Sequence, residues 1–315
     1  MALFPRKRAL DGWMAFDFLA DGIAVVYVRR AQEGPPVVEA ASFHRADRDA
    51  LGSTLLRLQK ELHADRHRCT SLLGAGDYQL VTVEAPNVAK DELKVAVRWR
   101  IKDLLDFHID DATIDVLDIP VDKNAAARGH SMYVVAARNQ LIQQRQGLFE
   151  TAKIPLSVID IPEMAQRNLS ELVAADERGV AMLSFGSAGG LLTVTFKGEL
   201  YLSRRIDITT GQLQEGAAEQ KSALHDRITL ELQRSLDHFD RQYHFITVSK
   251  LMLAPMGDGS ALKDYLAANL YLPVEEFVLG AYLDVSKVQA LQDVTEQQRF
   301  LMALGAGLRN EEKVL

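Results

Sequence analysis

The sequence predicts an α/β fold built from two copies of one unit, and three observations carry that expectation. The order strand, strand, strand, helix, strand occurs over residues 13–74 and again over 179–254. The period is long, so the repeat is a duplicated domain and not a short solenoid unit. The chain has 315 residues with 48% apolar and 25% charged side chains, a globular balance that suits one large domain or two of average size.

In the first copy "WMAFDF" alternates apolar and polar residues, Asp21-Gly22 supplies a hairpin turn, and "IAVVYV" is rich in β-branched residues. "VVEAASF" follows Gly34-Pro35-Pro36 as a third strand. Asp47 is placed to cap a helix whose apolar stripe is Leu51, Leu55, Leu58 and Leu62. "CTSLLG" reads as a strand, and Gly74 and Gly76 break the chain before "YQLVTVEA". In the second copy "VAMLSF", "LLTVTF" and "ELYLSRRI" are joined by glycine turns. A long helix carries Leu224, Ile228, Leu232, Leu236, Phe239 and Tyr243 on one face, and "KLMLA", a glycine loop and "ALKDYLAANL" follow.

Residues 85–162 lie between the copies. "AKDELKVAVRWRIKDLLDF" reads as an amphipathic helix with Leu93, Val97, Ile101, Leu104 and Leu105 on one face and Trp99 near that stripe. Strands "TIDVLDI" and "SMYVVAA" flank the polar loop "VDKNAAARGH". A helix from Asn139, the strand "LSVIDI" and a helix from Pro162 come next, Pro being favoured in a first turn. "ADERG" is a linker. "EQQRFLMALGAGLR" closes the chain as a helix whose glycines permit close packing.

Net charge is −7, which argues against a general nucleic-acid binder. One cysteine, Cys69, allows no intrachain disulfide and fits a reducing compartment. No apolar run has the length of a membrane span. Arg6, Lys7 and Arg8 form a basic trio, but no apolar region follows, so a signal peptide is not expected.

The segments "ELKVAVRWRIKDLLDFHIDDATIDVLDI", "YVVAARNQLIQQRQGLFETAKIPLSVIDIPEMAQRNL", "ELQRSLDHF", "KLMLAPMGDGSALKDYLAANLYLPVE" and "RFLMALGAGLR", in that order, resemble the type IV pilus assembly protein PilM family from about Trp13 to Arg309. Within it the chain is most similar to the MshI branch of mannose-sensitive haemagglutinin (MSHA) pilus systems. The resemblance implies an actin-like (ribonuclease H-like, duplicated) two-domain fold. The first domain would span 10–174, with an insert at about 85–137, and the second 175–295; a helix at 296–310 would pack back toward the first. It implies a PilN-like bitopic inner-membrane partner bound through a cytoplasmic peptide, and contact with the pilus motor ATPase. It also implies a cytoplasmic site peripheral to the inner membrane.

The resemblance further implies a nucleotide site with ATP and Mg²⁺ as cofactors, made of two phosphate hairpins and a glycine loop. ATP-binding members read Asp-x-Gly-Ser-Ser/Thr-x-x-Lys, Asp-x-Gly and Gly-Gly-Gly. Here Asp17 is in place in "FDFLADGIAVVY", with Gly22 after the turn, but Leu19 and Ala20 replace the small hydroxyl residues and no lysine follows. In "SFGSAGG" Ser184 stands where a carboxylate is expected, before Gly186, Ser187, Gly189 and Gly190. In "LAPMGDGSAL" Pro255 and Met256 replace two glycines, leaving Gly257 and Gly259, and Asp258 adds a repelling charge. Mg²⁺ wants hard oxygen ligands, usually a carboxylate among them. The expectation is therefore hairpin turns kept for folding, no catalysis and no resident cofactor.

The family's peptide cleft would use the insert, so Trp99, Leu104, Phe107, Ile114 and Val116 are the candidate partner residues. His63 and His67 stand at a spacing of four near Cys69, but flanking arginines favour a solvated helix end over a metal site. No nucleophile elbow, Walker loop, zinc-protease helix or paired cysteine motif is present.

Overall fold

A computed structural model describes residues 12–310 except 32, 90–91, 122–129, 175–176, 216 and 258. The basic trio, most of the loop "VDKNAAARGH", the first two residues of "ADERG" and Asp258 lie outside the described residues.

The first lobe runs β1 (Trp13–Leu19), β2 (Gly22–Arg29), β3 (Val37–Arg45), α1 (Leu51–Glu61) and β4 (Arg68–Leu72). The chain then leaves for β5 (Tyr78–Glu84), α2 (Leu93–Ile101), β6 (Ala112–Asp118) and β7 (Ser131–Arg138), and returns through α3 (Asn139–Thr151), β8 (Leu156–Asp160) and α4 (Pro162–Val173). The second lobe runs β9 (Gly179–Gly186), β10 (Gly189–Phe196), β11 (Glu199–Ile206), α5 (Thr210–Gln214), α6 (Ala218–Gln242), β12 (Val248–Leu253), α7 (Gly259–Asn269), β13 (Val274–Glu276), α8 (Leu279–Tyr282) and α9 (Val294–Gly307).

The duplication extends to strand pairing. One sheet has the order β3-β2-β1-β4-β8 and the other β11-β10-β9-β12-β13. In each, two antiparallel hairpins lead into parallel strands. Alternation along β1 sends Met14 and Phe16 into an outer core with Leu55, Leu58 and Phe149, and Ala15 into a central core. That central core is shared: α4 and α9 bring Leu169, Leu301 and Leu304 together with Val26 of one sheet and Met182 of the other. The stripe on α6 buries Ile228, Leu232 and Phe239 over the second sheet.

Helix α9 begins earlier than expected because Asp293 accepts from the Thr295 and Glu296 amides as its N-cap. A Cβ on Gly305 would lie 2.2 Å from the Ala165 carbonyl oxygen, so only glycine lets α9 approach α4 this closely. Strand β13 and helix α8 have three and four residues, too short to register as periodic patterns.

The third sheet has the order β5-β7-β6, so the inserted unit starts at Tyr78 and not at residue 85. Full pairing of β5 along β7, Tyr78↔Ala137 to Glu84↔Ser131, is the reason. One face of this sheet packs under α2 through Met132, Val134 and Ala136. The other reaches the second lobe. Tyr133 Oη donates to the Tyr201 carbonyl oxygen at 3.1 Å and accepts from the Ser203 amide at 3.2 Å. Beside it, Arg205 Nη2 donates to the buried Glu163 at 2.8 Å, and Tyr78 Oη donates to the same carboxylate. The insert is thus fastened to both α4 and β11.

Candidate functional site

The two hairpins expected to clasp phosphate share one geometry. Leu19 pairs with Gly22 across Ala20-Asp21, and Gly186 pairs with Gly189 across Ser187-Ala188. Asp17 and Ser184 therefore hold equivalent positions, each two residues before the closing pair. After each turn comes a glycine with positive φ, +158° at Gly22 and +119° at Gly189. A Cβ at Gly22 would lie 2.2 Å from the His44 carbonyl oxygen, and one at Gly189 2.8 Å from that of Ile206. Both glycines are thus required by the close approach of the third strand. Gly190 lies under the Phe185 ring, 2.7 Å from a hypothetical Cβ, while Gly186 has nothing closer than 3.9 Å.

Around Asp17 the environment is charged. Burial pushes its carboxyl up to about 6, and the cation of Arg145 acts against that rise. Arg145 arrives from α3, at a position that carries no local sequence signal. Its Nη1 donates to Ser71 Oγ and to the Leu72 carbonyl oxygen, both at 2.7 Å. Its guanidinium lies 4.0 Å from the Phe18 ring centroid and Nη2 is 3.8 Å from Asp77. The first hairpin thus has a cation nearby, fixed by protein groups.

Ser184 is buried and neutral. Its Oγ donates to Gln166 Oε1 at 2.5 Å. Gln166, fully buried on α4, spends its amide on the Met182 and Leu191 carbonyl oxygens at 2.8 and 3.1 Å and on Thr193 Oγ1 at 3.0 Å. A side-chain network closes the place where the second carboxylate would stand. At the neighbouring residue, Gln298 Nε2 of α9 donates to the Phe185 carbonyl oxygen at 3.1 Å and to Thr210 Oγ1 at 3.0 Å.

In the third loop Met256 is buried in the second-lobe core. Gly257 is exposed, and a Cβ there would be 3.3 Å from Gln214 Nε2 of α5. Gly259 opens α7. The second and third loops thus both border α5, whereas the first hairpin is set against β3 and α3.

On the insert the five candidate partner residues divide. Trp99 is 73% exposed and Val95, one turn earlier on α2, is 61% exposed. Lys102 Nζ lies 5.9 Å from the Trp99 ring centroid. Trp99 is two residues from the buried Val97 and Ile101, so it faces away from the stripe and not along it. The helix ends at Ile101, short of the expected Phe107, and Leu104 lies past it, 53% exposed. Phe107, Ile114 and Val116 instead pack partly buried against Met132, Val134 and Ala136, with the Arg138 guanidinium 4.4 Å from the Phe107 ring centroid.

Residues 44–223, more than half of the chain, match the model of the family described as type IV pilus assembly protein PilM. The chain belongs to the PilM family. No curated protein is significantly similar to it. Among solved structures it resembles a PilM–PilN type IV pilus biogenesis complex, with TM-score 0.72 and 17% identity over 96% of this chain and 100% of that one. The cytoplasmic domain of EpsL, an inner-membrane component of the Vibrio cholerae type II secretion system, aligns with TM-score 0.48 and 13% identity over 92% of this chain and 94% of that one. A Bacteroides thetaiotaomicron protein with an actin-like ATPase fold and unknown function aligns with TM-score 0.48 and 7% identity over 93% and 100%. The fold is that of the PilM–PilN structure, and the doubled sheet order agrees with the actin-like expectation.

This PilM-family chain repeats one hairpin geometry in both copies. Of the two equivalent positions one holds Asp17 and the other a serine already bonded to glutamine. His63 and His67 share no helix face, because α1 ends at Glu61 and His63 takes a left-handed conformation. Cys69 is buried, which pushes its thiol up to about 12. Among the described residues no group of three or more His, Cys, Asp or Glu could hold a metal ion, and no helix is long and apolar enough to cross a membrane.

Proposed function

We propose that the protein is a non-catalytic adaptor of a type IV pilus assembly machine. It holds the cytoplasmic N-terminal tail of a PilN-like inner-membrane protein and links it to the motor ATPase on the cytoplasmic side. The observation that carries this reading is the exposed apolar face of the insert, Val95 and Trp99 on α2 with Leu104 just beyond it. A tryptophan held in water is a frequent anchor of protein interfaces. The solved relative at 17% identity is a complex with PilN, and the reading carries that partner over to this chain. The order of segments favours a machine of the MSHA type.

The reading includes a degenerate nucleotide site. Phosphoryl transfer depends on positioned cations and metal ligands. The residues present do not fit a Mg²⁺-nucleotide: Ser184 offers no anion, Leu19 and Ala20 form part of the first turn region, and Met256 is committed to the core. The alternative, an ATP-binding switch whose lobes close on nucleotide, rests on Asp17 and the retained hairpin geometry.

Fluorescence tests the adaptor reading directly, because the chain has two tryptophans and Trp13 is buried. Titration with the cytoplasmic N-terminal peptide of the PilN-like partner shifts Trp99 emission to the blue, and Trp99→Glu abolishes binding. Unchanged affinity in Trp99→Glu overturns the reading.

A further inference from the structure

The insert belongs to the first lobe by chain order, yet its sheet packs into the core of the second. Ile119, just past β6, and Tyr133 of β7 are buried in one cluster with Leu200, Tyr201 and Phe239. Leu80 of β5 and Leu117 of β6 pack against the same cluster. Alternation puts Leu80, Leu117 and Tyr133 on one face of the insert sheet, and Met132, Val134 and Ala136, under α2, on the other.

Two buried polar ties hold the first of these faces. Tyr133 Oη serves both the Tyr201 carbonyl oxygen and the Ser203 amide, backbone groups of the edge strand β11. Both oxygens of Glu163, which is 1% exposed, are taken: Oε1 by Arg205 Nη2 and Oε2 by Tyr78 Oη. Arg205 Nη2 also donates to Tyr78 Oη at 2.5 Å, so side chains from α4, β11 and β5 form a closed triangle. Burial, and after it the Glu163 carboxylate, pushes the Tyr78 phenol up, so it keeps the proton it donates. Polar ties toward α3 of the first lobe differ. Thr113 Oγ1 donates to Asn139 Oδ1 at 2.7 Å and Asn139 Nδ2 to the Asp110 carbonyl oxygen at 3.0 Å, both exposed. An exposed bond is readily replaced by water, whereas a broken buried one leaves groups without partners.

We propose that the insert and β11 open as one cooperative unit, latched by Tyr78, Glu163, Arg205 and Tyr133, so that a ligand held on α2 also stabilises the second lobe. Partial undocking strands a buried carboxylate, carbonyl or amide, which makes docking all-or-none. By linkage, a ligand that binds only the docked insert suppresses the opening of β11 as well. That consequence for a ligand rests on the adaptor reading; the latch itself does not.

Hydrogen exchange of the full chain, read by mass spectrometry, tests this. Tyr78→Phe with Tyr133→Phe keeps the rings and removes both hydroxyl ties. The amides of β5 and β7, and those of β11 that bond to β10, then exchange about tenfold faster or more, by one common factor, while β1 and β2 keep their wild-type rates. Either single change accelerates the same three strands by a smaller factor. Faster exchange confined to β5 and β7, acceleration that spreads equally to β1 and β2, or no change anywhere overturns the proposal. Saturation with the cytoplasmic N-terminal peptide of the PilN-like partner slows the β11 amides of the wild type and leaves those of the double variant unchanged. A peptide that binds without slowing β11 also overturns the proposal. A peptide that does not bind at all overturns the adaptor reading instead, and the exchange pattern of the free chain still decides the latch.

Discussion

Asp17 and Ser184 stand at the same place in two copies of one hairpin, yet one is a carboxylate kept at a cost and the other a hydroxyl fully provided for. Burial raises the Asp17 carboxyl to about 6, so its charge at neutral pH works against folding. Ser184 is tied to Gln166, whose amide in turn serves three acceptors. The second copy holds a structural network at this place, while the first holds a group that stability alone would not retain. Such groups concentrate at functional sites. Asp17 is thus the residue on which the ATP-switch alternative depends.

The largest expected effect breaks what the hairpins have in common. Gly22→Ala drives a Cβ to 2.2 Å from the His44 carbonyl oxygen at a φ of +158° and costs about 3 kcal/mol or more in a denaturant melt. Gln166→Leu sharpens the contrast by removing the second hairpin's network. It leaves Ser184 Oγ buried without its acceptor and costs about 2–4 kcal/mol by the same measurement.

Asp17→Asn tests the first hairpin through pH. Its folded carboxyl, about 6, lies above the ordinary aspartate value of 3.8, so the folded state holds the proton more tightly. Asp17 therefore contributes stability below about pH 4, and that contribution is lost as pH rises through 6. The asparagine variant is more stable than wild type by about 1–3 kcal/mol at pH 7.5 and no more stable at pH 4, read as melting temperature at the two pH values. The smallest effect is Gly186→Ala. It meets nothing closer than 3.9 Å and changes stability by about 0.5 kcal/mol or less, in contrast to Gly22.

The doubled strand order was legible because alternation and glycine turns are local signals. The 13–43 strands and the stripes of α1 and α6 fall where those signals lie. Gln166 was not legible: on a helix it looks like a surface residue, and only the approach of β9 and β10 makes it a buried donor. Arg145 was hidden for the same reason, since its partners on β4 are more than seventy residues away in sequence. Trp99 stands two residues from both Val97 and Ile101, so helical spacing puts it opposite the stripe; the end of the helix at Ile101 was hidden because Leu104 and Leu105 extend the apparent stripe past it.

Calorimetric titration of the purified chain with Mg²⁺-ATP, beside a thermal-shift scan, tests the degenerate-site claim most directly. A ligand at a hundred times Kd would add about 2.7 kcal/mol of stability, so the scan is sensitive. The account predicts no heat and no shift at millimolar ATP. Micromolar binding with a clear shift, lost in Asp17→Ala, would contradict it and place the nucleotide switch ahead of the adaptor.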